Sequence, residues 1–162
     1  MIETVYIALG ANLGNRERNL RNAYEYMSAS EDIQTLKISR FYETAPLGGP
    51  PQPMFLNAAL ELQTSMTPHQ LLEKLQQIEL RMGRIRKEKW GPRTIDIDIL
   101  LFGDRIVEDD QLKIPHPLMH ERIFVLEPLV EIALDMVHPI LKKTILQIYQ
   151  EFKTFNQEGL RN

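Results

Sequence analysis

Apolar residues recur at every second position from Thr4 to Leu9, several of them β-branched, and predict a first strand. Gly10-Ala11-Asn12-Leu13-Gly14 then makes a turn. Asn15 follows as the predicted N-cap of a helix whose buried stripe is Leu20, Ala23, Tyr24 and Met27. Ile33 to Tyr42 predicts a second strand. Thr44 to Pro53, with two adjacent glycines and four prolines, predicts a loop. Alternation resumes from Phe55 to Leu62 as a third strand. Thr67-Pro68 opens a second helix with its stripe at Leu71, Leu72, Leu75, Ile78 and Met82, and Gly83 is placed to end it. Lys87 to Thr94 is polar and predicts a loop, and Ile95 to Phe102 predicts a fourth strand. Short strand pieces follow around Ile106 and Leu112, then a turn at Pro115-His116-Pro117. A helical C-terminal region holds Leu126, Leu129, Ile132, Ala133, Ile145, Ile148 and Tyr149.

The order β-α-β-β-α-β predicts an α+β fold with a ferredoxin-like core, an antiparallel sheet with helices packed on it, plus a C-terminal extension. Nothing in the chain repeats and no linker breaks it, so residues 1–162 are expected to form one domain. With 43% hydrophobic and 25% charged residues, the composition is that of an ordinary globular domain. There is no cysteine, so disulfides and thiolate metal sites are excluded. The N-terminus has no basic stretch before an apolar run, and nothing approaches the roughly 18 apolar residues of a membrane span. A cytoplasmic protein with no membrane partner is expected. A net charge of −3 argues against a nucleic-acid surface. Arg81, Arg84, Arg86, Lys87, Lys89 and Arg93 nevertheless cluster around a single acid, Glu88, which suits a small anionic ligand. By charge alone, a solvated helix end explains the cluster equally well.

The strongest chemical signal is Asp96-Ile97-Asp98, embedded in branched apolar residues. On a strand, positions i and i+2 share a face roughly 6.5 to 7 Å apart. The two carboxylates therefore project together, while Ile95, Ile97 and Ile99 point into the opposite layer. Oxygen ligands without thiolates suit Mg²⁺, which takes one or two carboxylates and completes its shell with phosphate and water. An alternating strand with a wet polar face is the bland alternative, but acids are disfavoured in strands. Before this strand, the arginines of the basic loop match phosphate oxygens in fork geometry. Trp90, the only tryptophan, can either close over a flat ligand or pack across a lysine stem. His116 is held between two prolines, and with Arg122 it can donate to phosphate; a structural histidine fits as well. His69 and His138 read as surface residues. Thr44 to Gly49 followed by Phe55-Leu56-Asn57 suits a planar heterocycle that stacks and hydrogen-bonds along its edge, though an ordinary loop and strand would look the same. Gly10-x-x-x-Gly14 lacks the third glycine of a dinucleotide loop, and the sequence has no Walker A motif.

Together these residues resemble the pterin pyrophosphokinase family of folate biosynthesis. The resemblance is carried by Gly10 to Gly14, Phe41 to Pro46, Phe55 to Ala58, Ile78-Glu79 to Arg86, Trp90-Gly91-Pro92-Arg93-Thr94-Ile95-Asp96-Ile97-Asp98-Ile99, and Pro115-His116-Pro117 to Phe124. It runs in order over about residues 4 to 130. It implies that the hydroxymethyl oxygen of 6-hydroxymethyl-7,8-dihydropterin attacks the β-phosphorus of ATP, releasing AMP and the pterin pyrophosphate. It implies two Mg²⁺ ions held by Asp96 and Asp98, and a catalytic group of Arg84, Arg93, Asp96 and Asp98. The pterin would lie between Phe55 and Phe124, with Thr44, Pro46, Leu47 and Asn57 at its edge. Gln76, Glu79, Arg84, Arg86, Lys87, Ile99, His116 and Arg122 correspond to the nucleotide side. Trp90 and Arg93 belong to a loop that closes over both substrates. Leu118 stands where many members carry a basic residue, and Phe55 where some carry tyrosine. A monomer or weak homodimer is expected. A ferredoxin-like module that binds a nucleotide without turnover is the main rival. An RNA-binding sheet is the other, and the strand from Phe55 lacks the aromatic and basic residues for it.

Overall fold

β1 (Glu3–Ala11) lies inside the sheet, and its alternation sorts the molecule into layers. Val5, Ile7, Leu9 and Ala11 enter one apolar cluster, and Tyr6 and Ala8 face another. The computed structural model describes residues 1–45, 51–83 and 94–161, the last five of these as backbone alone. β1 is followed by α1 (Arg16–Ser28), β2 (Ile33–Ile38), β3 (Tyr42–Thr44), β4 (Phe55–Thr64), α2 (Pro68–Arg81) and β5 (Asp96–Phe102). The sheet runs β2-β4-β1-β5, with β3 also paired to β4, and every pairing is antiparallel. This is the strand order of the expected ferredoxin-like core, with its central pair made by β1 and β4.

α1 supplies Leu20, Ala23 and Met27, and α2 supplies Leu71, Leu75 and Ile78, to the cluster under Ile7 and Leu9. The opposite face is covered by α3 (Ile123–Ala133) and α4 (Ile145–Arg161), through Val125, Leu126, Leu129, Ile145 and Ile148. Both early helices start on caps legible in the sequence. The Asn15 side chain accepts from the Arg18 N–H at 3.0 Å. Thr67 and Gln70 form a reciprocal capping box. Gly83 follows α2 with φ +79°, where any other residue would be strained.

Three expectations need correction. The second strand does not run unbroken from Ile33 to Tyr42 but divides into β2 and β3. Ser39 causes the break: buried in the gap, its hydroxyl accepts from the Ala59 N–H at 2.9 Å and so replaces a strand carbonyl. Thr44 closes β3 rather than opening the loop. His138 is buried, not superficial; its Nδ1 accepts from the N–H groups of Ile140 and Leu141 at 3.2 and 3.1 Å and organises the turn before α4. The small strands β6 (Val107–Glu108) and β7 (Lys113–Ile114) lie one residue beyond their expected centres.

β5 carries a bulge. Tyr6 faces Leu101 and Ile7 faces Ile99, leaving Leu100 without a partner across the ladder. Ile97 and Ile99 therefore enter the first cluster, Leu100 and Leu101 both enter the second, and Phe102 returns to the first. Among the described residues, no helix is long and apolar enough to cross a membrane.

Candidate functional site

The face covered by α3 and α4 at one end of the sheet carries polar residues at the other. Strand parity places them. Asp96 lies across from Gly10, Gly10 from Asn57, and Asn57 from Tyr42, so one row crosses four strands. Asp98 lies across from Ala8, and Phe55 from Thr44, in the neighbouring rows. Since Ala8 and Ala59 face the second cluster, Asp98, Asp96, Asn57 and Phe55 share that face by period-2 alternation. Asp98 is exposed and Asp96 half-buried. The paired carboxylates expected from the sequence thus stand together on an open face, and the isoleucines between them are buried in the opposite layer.

Beside them is an apolar and amide-bearing floor. Asn57 is buried, and its Nδ2 donates to Thr44 Oγ1 at 2.6 Å and to the Tyr42 carbonyl at 3.4 Å. A Cβ on Gly10 would come within 3.1 Å of Asn57 Oδ1 and 3.7 Å of the Phe55 ring. Glycine at this position lets the amide and the ring lie directly on the β1 backbone. The segment leading into Phe55 is pinned by two residues outside the expected site, Asn12 and Arg16. Buried Asn12 donates to Gln52 Oε1 at 2.7 Å and to the Pro53 carbonyl at 3.1 Å. Arg16 donates to the Met54 carbonyl at 2.9 Å and pairs with Glu43 at 2.7 Å. A polar residue after a strand reads as a turn, and its burial is visible only in three dimensions.

The outer edge of β5 forms the other flank. Buried Glu79, on α2, accepts from the Ile97 N–H at 2.8 Å and so docks the helix on the acidic strand. Gln76 lies one turn earlier and is exposed. The Ile99 side chain is buried in the first cluster, so only its backbone faces outward. At the far end the His116 N–H donates to the Leu100 carbonyl at 3.0 Å, just after a cis Ile114–Pro115 bond. His116 Nδ1 accepts from the Leu118 N–H at 3.3 Å, which assigns the proton of the neutral ring to Nε2. Burial, and then the charge of Arg122, lower the His116 pKa to about 4. The Arg122 guanidinium in turn lies 5.6 Å from the Phe124 ring centroid, and Phe124 packs on the second cluster. His116, Arg122 and Phe124 therefore form a contiguous wall.

Thr44, Phe55, Asn57, Phe124, Asp96 and Asp98 are thus gathered on one face. Gln76, Glu79, Ile99, His116 and Arg122 line the edge beside it. Pro46, Leu47, Arg84, Arg86, Lys87, Trp90 and Arg93 lie outside the described residues. Among the described residues no cluster of three or more histidine, aspartate or glutamate side chains forms a metal cage. Asp96 and Asp98 are the carboxylates of this face that could hold a cation, and oxygen donors of this kind suit Mg²⁺ sharing its shell with phosphate and water.

A family model for 7,8-dihydro-6-hydroxymethylpterin-pyrophosphokinase (HPPK) matches residues 6–134. The chain belongs to the HPPK family. The match begins inside β1 and ends just past α3, so it contains every element that builds the site. The 2-amino-4-hydroxy-6-hydroxymethyldihydropteridine pyrophosphokinase of Bacillus subtilis is 50% identical over 133 residues, covering 82% of this chain and 80% of that one. The Haemophilus influenzae protein of the same name is 44% identical, covering 84% of this chain and 85% of that one. The folic acid synthesis protein fol1 of Pneumocystis carinii is 45% identical over 92% of this chain, which spans only 20% of that much longer protein. Among solved structures, wild-type Plasmodium falciparum HPPK-DHPS with pteroate superposes with a TM-score of 0.80 at 16% identity. It covers 100% of this chain and 44% of the other. That likeness supports the fold, and the HPPK fold is the one described above.

Proposed function

We infer that this chain transfers pyrophosphate from ATP to 6-hydroxymethyl-7,8-dihydropterin, giving AMP and the pterin pyrophosphate of folate biosynthesis. One observation carries the reading at this site: Asp96 and Asp98 stand on an open sheet face beside the Phe55–Asn57–Thr44 floor, with Gly10 as the bare backbone between them. Carboxylates that gather cations and a stacking floor for a heterocycle are the two halves that this reaction must bring together.

Asp96 and Asp98 would hold Mg²⁺, two ions in this reading, which supplies charge neutralisation to the triphosphate and makes its β-phosphorus more electrophilic. The pterin lies between Phe55 and Phe124, and Asn57, held by Thr44, offers its amide to the heterocycle edge together with Pro46 and Leu47. The hydroxymethyl oxygen forms a bond to the β-phosphorus as the bond from that phosphorus to the α-phosphate's bridging oxygen breaks. The hydroxyl proton leaves to solvent, and AMP departs. His116, neutral at physiological pH, donates from Nε2 as a hydrogen-bond donor rather than as a cation. Arg122 lies next to it. Gln76, Glu79 and the Ile99 backbone form the nucleotide edge with Arg84, Arg86 and Lys87, and Trp90 and Arg93 close over both substrates. Arg84 and Arg93 stabilise charge on the departing oxygen. All these groups come from one chain, so a single domain, as a monomer or weak homodimer, suffices. A cytoplasmic setting, where ATP is abundant, fits the absence of cysteine.

Incubation with ATP, Mg²⁺ and the reduced pterin alcohol tests the reading. AMP and pterin pyrophosphate are expected in equal amounts; ADP as the product would sink it. Gly10→Ala should raise the KM for pterin about ten-fold, because the new methyl group presses on the Asn57 amide and the Phe55 ring. The KM for ATP should stay within about two-fold of the parent value.

His116 also makes stability depend on pH. Its folded pKa of about 4 lies below the ordinary 6.5, so between these values the unfolded chain binds more protons than the folded one. Its contribution is complete above pH 6.5 and is lost as pH falls toward 4. Denaturant midpoints measured across this range should fall more steeply for the parent protein than for His116→Asn.

A further inference from the structure

We propose that Glu131 is a positioning residue for the pterin: its carboxylate ties α3 to β3 and thereby sets where Phe124 stands over the sheet. The proposal rests on the placement of the pterin between Phe55 and Phe124 argued above. Phe124 and Glu131 are seven residues apart on α3, two helical turns, and so lie on the same side of the helix. Glu131 Oε1 accepts from the Tyr42 hydroxyl at 2.5 Å and from Arg40 Nε at 3.0 Å, and Oε2 accepts from the Arg40 backbone N–H at 3.0 Å. The Arg40 guanidinium is 5.7 Å from the Tyr42 ring centroid and braces the tyrosine. Tyr42 in turn lies directly across from Asn57, and its carbonyl accepts from the Asn57 amide. A continuous path therefore joins the wall residue Phe124 to the floor residue Asn57 through a single carboxylate.

The position of this cluster argues for a local role. The Arg40 side chain is 81% exposed, and exposed ion pairs contribute little to global stability. A short hydrogen bond from a hydroxyl to a carboxylate is, by contrast, among the stronger contacts available. Here it spans from the sheet to the helix that carries one of the two aromatic rings. Loosening it should widen the gap between Phe124 and Phe55 without unfolding the protein. The nucleotide edge, built on α2, β5 and the His116 turn, lies away from Tyr42.

The test is steady-state kinetics and pterin titration on Glu131→Ala, Tyr42→Phe, the double variant, Glu131→Gln and Phe124→Ala. Glu131→Ala should raise the pterin KM about ten-fold, with the ATP KM and melting temperature nearly unchanged. Tyr42→Phe should shift it in the same direction, and the double variant should be no worse than Glu131→Ala alone. Glu131→Gln should recover part of the loss, since its amide oxygen still accepts from Tyr42. If Phe124→Ala raises the pterin KM but neither Glu131→Ala nor Tyr42→Phe does, the clamp is wrong and the pterin placement stands. If Phe124→Ala has no effect, the placement is wrong and the proposal falls with it. Equal increases in both KM values, accompanied by a lower melting temperature, would make the role merely structural and overturn the proposal.

Discussion

Asp98→Asn is expected to lower kcat by about a thousand-fold, close to the loss of transition-state charge stabilisation when a metal-holding carboxylate is neutralised. The substitution keeps the side chain's shape and falls on an exposed position, so its effect on folding stability should stay within about 0.5 kcal/mol. That separation is what makes the variant informative. Asp98 faces solvent and its strand neighbours Ile97 and Ile99 are buried, so any large loss of rate reflects the carboxylate's charge and not the packing of β5. Quenched-flow measurement of AMP formation, at several Mg²⁺ concentrations, gives the number. A residual rate within about ten-fold of the parent would remove the carboxylate pair from the mechanism. A module that binds nucleotide without turnover would show no AMP from either protein.

Replacing either aromatic wall should act on the other substrate. Phe55→Ala and Phe124→Ala are each expected to raise the pterin KM about thirty-fold, the cost of losing one stacking face and the apolar area it covers. The ATP KM should change by less than about two-fold in Phe55→Ala, because Phe55 sits on β4, two strands from the nucleotide edge. Phe124 also packs on the second cluster, so its variant should lose stability as well, and thermal melting separates the two effects. Fluorescence titration with the pterin, in the presence of a non-hydrolysable ATP analogue, checks both. Unchanged pterin affinity in Phe55→Ala would displace the ring from this floor.

Much of this architecture is legible in local sequence. The alternation around Ile7 and Leu9, the Asn15 and Thr67 caps and the glycine after α2 each determine a piece of structure without help from distant residues. The acidic pair was legible for the same reason, since period-2 geometry alone puts Asp96 and Asp98 on one side. What could not be read depends on contacts between distant segments. Ser39 looks like one more strand residue until Ala59 is seen to use its hydroxyl as an acceptor, 20 positions away. Asn12 and Arg16 look like turn and helix surface, but both hold residues 52–54 in place. Glu131 sits on an ordinary amphipathic helix, and only its convergence with Arg40 and Tyr42, some 90 positions earlier, gives it a role. The burial of His138 is likewise invisible in the sequence, because a single histidine has no period to show which way it faces.

The extra residue at Leu100 makes β5 two half-strands joined out of phase. Ahead of the bulge the odd-numbered side chains meet the early helices and Asp96 and Asp98 the opposite face; after it, Leu101 is buried on the face of α3 and α4 and Phe102 on that of the early helices, so the parity is reversed. Removing the single residue at 100 would restore strict alternation with Ile99, Leu101 and Phe102 each on its present side, so the deletion should cost the packing of one leucine under α3 and α4 and leave both aspartates facing outward.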